Sequence, residues 1–342
     1  MSSSQTYSPF RSVLLREWRR MTSRRLYFGV CIILPLFTLF FMATIFGNGQ
    51  MENIPIGIVD QDNTASSRAI TRNISAVPTF KVTRHFVNEE AARKAVQKKE
   101  IYGYLSIPPK FEQDAISGKN ATLSYYYHYA LLSVGGELMA AFETSLAPVS
   151  LSPIVMQAVA LGVEQDKITT FLLPVQASNH PIYNPSLDYS VYLSQPFFFV
   201  LFQVLILLIT VYAVGIEIKF RTADEWLFVA KGNMVTAVLG KLLPYTIIFI
   251  LIGWLANYVM FGILHIPFQG SWLLMNMLTA LFVVATQALG LFLFSLFPAI
   301  SLIISIVSMV GSLGATLSGV TFPVTNMYPL VRDASYLFPV RH

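Results

Sequence analysis

Residues 16–47 read REWRRMTSRRLYFGVCIILPLFTLFFMATIFG. A basic, mostly polar front gives way at Leu26 to an apolar run that continues to Phe46. About 20 such residues span the hydrocarbon core of a bilayer as a helix. A cleaved signal peptide also has a basic front, but its apolar part is only about 7–15 residues and ends in small residues. Here the run carries Pro35 and a Phe-rich stretch through to Gly47. A retained membrane anchor over 26–47 is the expectation.

Four further apolar runs follow, at 192–215, 242–262, 272–296 and about 300–318. The fold class is therefore a polytopic α-helical membrane protein with five visible spans. Composition agrees. Hydrophobic residues make up 54% of the 342-residue chain and charged residues 12%, about half the ordinary share for a soluble domain; mean hydropathy is +0.58. The charge is unevenly placed. Residues 48–190 hold eleven of the 23 Lys+Arg and thirteen of the 18 Asp+Glu, as expected of a part that sits in water.

Lys and Arg near span ends set the orientation. Arg11, Arg16, Arg19, Arg20, Arg24 and Arg25 precede the first span and place the N-terminus in the cytoplasm. Counting crossings puts 48–190 outside the membrane and 216–241 inside. The inside loop carries Lys219, Arg221, Lys231 and Lys241, whereas the next outside loop, Leu264 to Ser271, has no Lys or Arg. The net charge of +5 is thus an insertion signal, and no nucleic-acid partner is expected.

Within 48–190, strand and helix patterns alternate. IPIGIVD (54–60) reads as a buried strand, followed by a polar turn and a helix that Asn63 is expected to cap. FKVTRHF (80–86), a helix opened by Asn88-Glu89-Glu90, IYGYLSI (101–107), a helix from Pro108 and TLSYYYHY (122–129) continue the alternation. That pattern argues for an inserted α/β domain with a parallel or mixed sheet. A helical region, about 131–167, is expected to break near Pro148 and Pro153. Tyr125, Tyr126, Tyr127 and Tyr129 read either as a half-buried aromatic strand or as a binding surface.

Chemistry-bearing motifs are scarce. Cys31 is the single cysteine and lies in the first span, and the five histidines show no pair spacing, so no metal centre is read. Gly240-Lys241 is not a phosphate loop, because Val235 stands where that loop needs glycine and Leu242 where it needs Ser or Thr. No nucleophile–base constellation stands out, so the chain is read as a non-enzyme that binds no cofactor of its own. Residues 10–25 form an amphipathic helix, with Phe10, Leu14, Trp18 and Met21 on one face and Arg16, Arg19 and Arg20 on another. It reads equally as an interfacial anchor and as a docking surface. Ser301, Ser305, Ser308 and Ser312 recur at steps of four, three and four, serving either close helix packing or a translocation path. Gln203, Asn257, Asn276 and Gln287 are intramembrane polar residues expected to face protein or a cavity.

Several segments together resemble the permease subunit of type-2 ATP-binding-cassette exporters, in the branch with a large external domain after the first span. Residues 16–47 resemble its interfacial helix and first span, IPIGIVDQDNTASSRAI (54–70) its opening strand and helix, and YNPSLDYSVYLSQP (183–196) its approach to the second span. GIEIKFRTADEWLFVAKGNMVTAVLGKLLPY (215–245) is similar to its cytoplasmic loop, matching at Glu217, Arg221, Thr222, Trp226, Leu227, Gly240 and Lys241; the family often has Gly where Arg221 stands. SGVTFPVTNMYPLVRDASYLFPVRH (318–342) resembles its external re-entrant segment. The family pattern continues into a sixth span, which is expected to be missing from this sequence.

The resemblance implies a cytoplasmic helix at 1–25, the first span at 26–47, an extracytoplasmic domain at 48–190, spans two to five within 191–318 and the re-entrant segment at 319–342. It implies a bacterial cytoplasmic (inner) membrane location and a cytoplasmic ATPase partner that holds ATP and Mg. It further implies a second copy or sister permease, with a periplasmic adaptor as a candidate partner besides membrane lipid. The residues implied to couple to the ATPase are Arg16, Trp18, Arg19, Glu217, Arg221, Thr222, Glu225 and Trp226. Gln203, Asn276, Gln287 and the four serines are the candidate path for an amphiphilic or drug-like substrate. A membrane-anchored receptor or an envelope scaffold is the alternative function.

Overall fold

The structure is a computed structural model that describes residues 8–45, 51–117, 121–130, 132–160 and 190–342. The end of the helical region beyond Ala160 and the start of the approach to the second span lie outside these residues. The chain divides into two compact units, residues 50–180 and the remainder.

The larger unit is helical. α1 (Pro9–Ser23) begins at Ser8, whose side chain accepts from the Arg11 amide, with Pro9 in the first turn where its missing N–H costs nothing. Five helices are long and apolar enough to span a membrane: α2 (Arg25–Ile45), α7 (Ser190–Lys219), α9 (Met234–Ile263), α10 (Trp272–Leu296) and α11 (Ile300–Leu317). α7 is the central one and packs against α2, α9, α10 and α11. Its contact with α11 is close because Gly311 and Gly314 face it. A Cβ on either would meet Val204 Cγ2 or Gln203 Nε2 at 2.7 Å.

α7 and α9 run farther than the apolar runs alone suggest. The region 216–241, expected as a loop, contracts to two turns around the short helix α8 (Ala223–Val229). Helix continues through Glu217 and Lys241 because both charges find partners inside the bundle.

In the other unit, β1 (Ile54–Asp60), β2 (Phe80–Phe86), β3 (Gly103–Ile107) and β4 (Ser124–Tyr127) form one mixed sheet in the order β2-β1-β3-β4. β1 is parallel to both neighbours and β4 is antiparallel to β3. Four intervening or following helices are α3 (Ala65–Ser75), α4 (Glu89–Gln97), α5 (Phe111–Ile116) and α6 (Leu132–Ala160). Two small cores result. Ile56, Ile70, Ile74, Phe80, Leu105, Leu138 and Phe142 pack on one sheet face, and Val59, Ala92, Ala95, Ile101 and Tyr104 on the other. β1 is covered on both faces, which explains its unbroken apolar sequence.

Three local expectations change. Thr64, not Asn63, caps α3. Asp60 Oδ1 accepts from the amides of Asp62 and Asn63, Asn63 takes a left-handed φ of 55°, and the capping box forms between Thr64 and Ser67. α6 passes through Pro148 and Pro153 without a break; each proline removes one ladder bond, and a helix of 29 residues retains enough others to continue. The tyrosine cluster divides, because a strand sends alternate side chains to opposite faces. Tyr125 stacks on Phe142 at 5.2 Å, while Tyr126 stacks on Tyr104 at 4.8 Å.

Phe142 is fully buried and touches Phe80 at 4.6 Å between ring centroids. Phe142→Ala is expected to destabilise this unit by about 3–5 kcal/mol. Hydrogen exchange at the β1 and β3 amides would report it, and unchanged protection would contradict the assignment of this core.

Candidate functional site

A buried cluster of charged side chains lies where α1, α7, α8 and α9 meet. Its centre is the carboxylate of Glu217, in the last turn of α7 and fully buried. Arg16 of α1 forks onto it, with Nη1 to Oε1 at 3.1 Å and Nη2 to Oε2 at 3.2 Å. Two parallel bonds fix both the distance and the plane of the guanidinium. Arg20, one turn on, donates to Oε1, and Thr222 donates to Oε2. Lys241 Nζ of α9, also fully buried, bridges Glu217 Oε1 at 2.7 Å and Glu17 Oε2 at 2.6 Å. Tyr245 then donates to Glu17 Oε1 at 2.6 Å.

Three cations thus meet two carboxylates, and both oxygens of each carboxylate are occupied. Burial would draw the Arg20 guanidinium down, but its hydrogen bond to Glu217 and the nearby Glu17 charge hold it above its ordinary value. Arg20 therefore stays charged. Removing water from these groups costs several kcal/mol per ion, which only such complete pairing offsets.

The cluster corrects the expected face of α1. Val13, Glu17 and Met21 are its buried residues, and Arg16 and Arg20 turn inward with them. Trp18 is 49% exposed and Phe10 and Arg19 are exposed too. Phe10, Leu14, Trp18 and Met21 were expected to share one face apart from the arginines, but the buried acid across the bundle draws Arg16 and Arg20 inward beside Val13 and Met21. Val13 seats against Gly240 of α9, where an added Cβ would lie 3.0 Å from the Val13 side chain.

α8 sits directly beneath this cluster. Its Trp226 is buried, donating Nε1–H to the Ala237 carbonyl at 3.1 Å, with Lys241 Nζ 5.3 Å from the ring centroid. The turn before it needs a left-handed residue, and Arg221 takes φ 54°. Glycine would adopt that conformation without steric penalty, whereas a side chain adopts it at a cost. Asp224, Glu225 and Phe228 point away from the bundle, Phe228 being 85% exposed. Of the expected coupling residues, then, Arg16, Glu217, Thr222 and Trp226 belong to the interior joint, and Trp18, Arg19, Arg221 and Glu225 to the surface beside it. Glu17, Lys241 and Tyr245 were not singled out as site residues. Their signal was the pairing of an acid in an arginine-rich helix with a lone lysine at the head of an apolar run.

The intramembrane polar residues do not converge in the same way. Gln203 is buried and accepts the Val340 amide of the C-terminal segment at 2.9 Å. Asn257 donates to Asn276 at 3.2 Å and to Thr279 at 2.9 Å, and Thr246 donates to Gln287 at 2.7 Å. Ser301 and Ser305 are exposed, as is Ser312, while Ser308 is half-buried. Ser305, Ser308 and Ser312 bond to carbonyls of their own helix. Close packing of α11 on α7 falls to Gly311 and Gly314 instead.

Fold and cluster define a polytopic helical membrane protein with an inserted α/β domain and a buried ionic joint at one end of its spans. Residues 25–342 match the family described as ABC-2 family transporter protein, and the chain belongs to that family. It is also similar to the probable multidrug ABC transporter permease YbhS of Escherichia coli strain K12. The two are 22% identical over 339 residues, covering 97% of this chain and 85% of the relative. The YbhS of Escherichia coli O157:H7 matches to the same extent. No solved structure matches the chain significantly. Membership makes this chain a permease subunit rather than the ATPase, and implies a separate ATPase subunit as partner.

Glu217→Ala leaves three cations around an empty place and is expected to destabilise the helical unit by about 3–5 kcal/mol. A Glu17→Gln, Lys241→Met double-mutant cycle is expected to show a coupling of about 1–3 kcal/mol. Thermal unfolding of the purified protein reads both; additive effects in the cycle would refute a shared cluster.

Proposed function

We propose that this chain is the membrane permease of an ATP-driven exporter in a bacterial cytoplasmic membrane. In this reading it moves an amphiphilic or drug-like substrate outward, with a cytoplasmic ATPase supplying energy and a second copy or sister permease completing the pathway. The N-terminus and α8 face the cytoplasm, and the inserted domain lies on the other side, where a periplasmic adaptor is a candidate partner. The name of the Escherichia coli relative supports the substrate class.

The observation that carries the reading is the joint around Glu217. An ATPase closing on ATP must move spans rather than slide past them. α8 offers an exposed aromatic tip at Phe228 and exposed acids at Asp224 and Glu225 as the point of contact. Its other side is fastened through Trp226 and Thr222 to the cluster that grips α1, α7 and α9. A push on α8 is therefore delivered to two spans and the interfacial helix as one body. The ATPase shifts the population between inward and outward forms only insofar as it binds them unequally. Gln203, Asn276, Gln287 and the serines of α11 remain the candidate lining of the path.

Co-expression with a candidate ABC ATPase subunit tests this. Phe228→Ser is expected to leave thermal unfolding unchanged while reducing recovery of the ATPase complex about tenfold, the loss of one well-buried contact residue. Glu217→Gln is expected to keep the complex but to lower drug-stimulated ATP hydrolysis and export together. Failure of any ATPase to co-purify, with both variants neutral for drug resistance, would favour a receptor or envelope scaffold instead.

A further inference from the structure

The inserted sheet is only partly covered on the face that carries α4. That helix packs over β1 and β3 through Ala92 and Ala95, and β4 lies one strand farther out. Between them lies a recess of about 570 Å³, lined by Glu89, Glu90, Arg93, Val96, Tyr104 and Tyr126 with Tyr127 beside them. The volume falls in the range of small-molecule sites, about 300–1,000 Å³.

Its floor is aromatic and rigid. Tyr104 and Tyr126 are direct cross-strand partners, and their rings stack at 4.8 Å with 22° between planes. Tyr104 is 4% exposed and acts as the support, while Tyr126 is 45% exposed and offers a ring to the recess. One wall is a fixed acceptor. Glu89 Oε1 takes the hydroxyl hydrogen of buried Ser106 at 2.5 Å, an attachment that holds the carboxylate in place. Burial, and then the adjacent Glu89 charge, push the Tyr104 phenol upward, which keeps it a hydroxyl able both to donate and to accept.

The charges balance. Glu89 and Glu90 stand with Arg93 and with Lys94, which pairs Glu90 at 2.6 Å. A free organic cation would meet Arg93, and a free anion would meet two carboxylates. A neutral ring bearing hydroxyls meets neither penalty. Its C–H face suits the tyrosine platform and its hydroxyls need the mixture of acceptor, donor and hydroxyl found here.

We propose that the recess between α4 and β4 is a saccharide-binding site, with Tyr126 as the stacking platform and Glu89 and Arg93 as hydroxyl partners. The site is independent of the direction of transport and of the ATPase. It gives the inserted domain a ligand of its own, a neutral sugar unit of one or two pyranose rings.

Saturation-transfer NMR on the full chain tests it, in a detergent without a sugar headgroup, since a maltoside or glucoside would itself compete. The probes are maltose, cellobiose and the N-acetylglucosamine disaccharide, with tetraphenylphosphonium as the cationic alternative. At least one disaccharide is expected to receive saturation on its ring C–H protons. Tyr126→Ala is expected to weaken it by about tenfold or more, Tyr126→Phe to retain it, and Glu89→Gln to weaken it by several-fold. Should Tyr126→Ala unfold, Arg93→Met serves in its place with the same expected weakening. No transfer to any sugar, transfer unaffected by the platform variant, or transfer to tetraphenylphosphonium alone would overturn the proposal.

Discussion

A carboxylate removed from water must be surrounded by donors, and one end of the helical unit is arranged around that requirement at Glu217. Two arginines come from α1, a threonine from the turn after α7 and a lysine from α9. None of these elements is held there by apolar contact alone. α1 is amphipathic and short, and α8 has only seven residues. Tied to Glu217, both become part of the bundle. The same cost that makes a buried ion a weak source of net stability makes it a strong source of specificity, because an alternative arrangement would strand three cations.

That specificity also fixes how α8 is mounted on the bundle. The side of α8 facing away from the bundle exposes Asp224, Glu225 and Phe228; the side facing inward carries Trp226, wedged between the Ala237 carbonyl and the Lys241 ammonium. Farther along the spans the polar residues are scattered in pairs between neighbouring helices, as at Thr246–Gln287 and Asn257–Thr279. Such bonds select one packing among the many that apolar helices could adopt.

The inserted domain solves a different problem. It has no disulfide, so its stability rests on two thin cores either side of one sheet. β1 lies between them and is the strand with no polar face. β4, at the edge, has one side on Phe142 and α6 and the other on an open recess. The run of tyrosines there serves both at once, one set of rings as core and one as surface.

The membrane character, the number of spans and the α/β alternation were legible in the sequence because each depends on local pattern: apolar length, period-two strands and helices bounded by polar turns. The family was legible because segments matched in order along the chain, at Glu217, Thr222, Trp226 and Phe322-Pro323 among others. What no local pattern carries is a contact between residues some 200 positions apart. Arg16 and Glu217 are each ordinary as sequence, one an insertion signal and the other a loop acid. Only folding brings them together, and with them decides that α1 turns Arg16 and Arg20 inward, that α7 and α9 extend through their charges, and that the expected loop is a joint. The reason is energetic. Hydrophobic burial is set residue by residue, whereas the cost of burying a charge depends entirely on which partners the tertiary structure supplies.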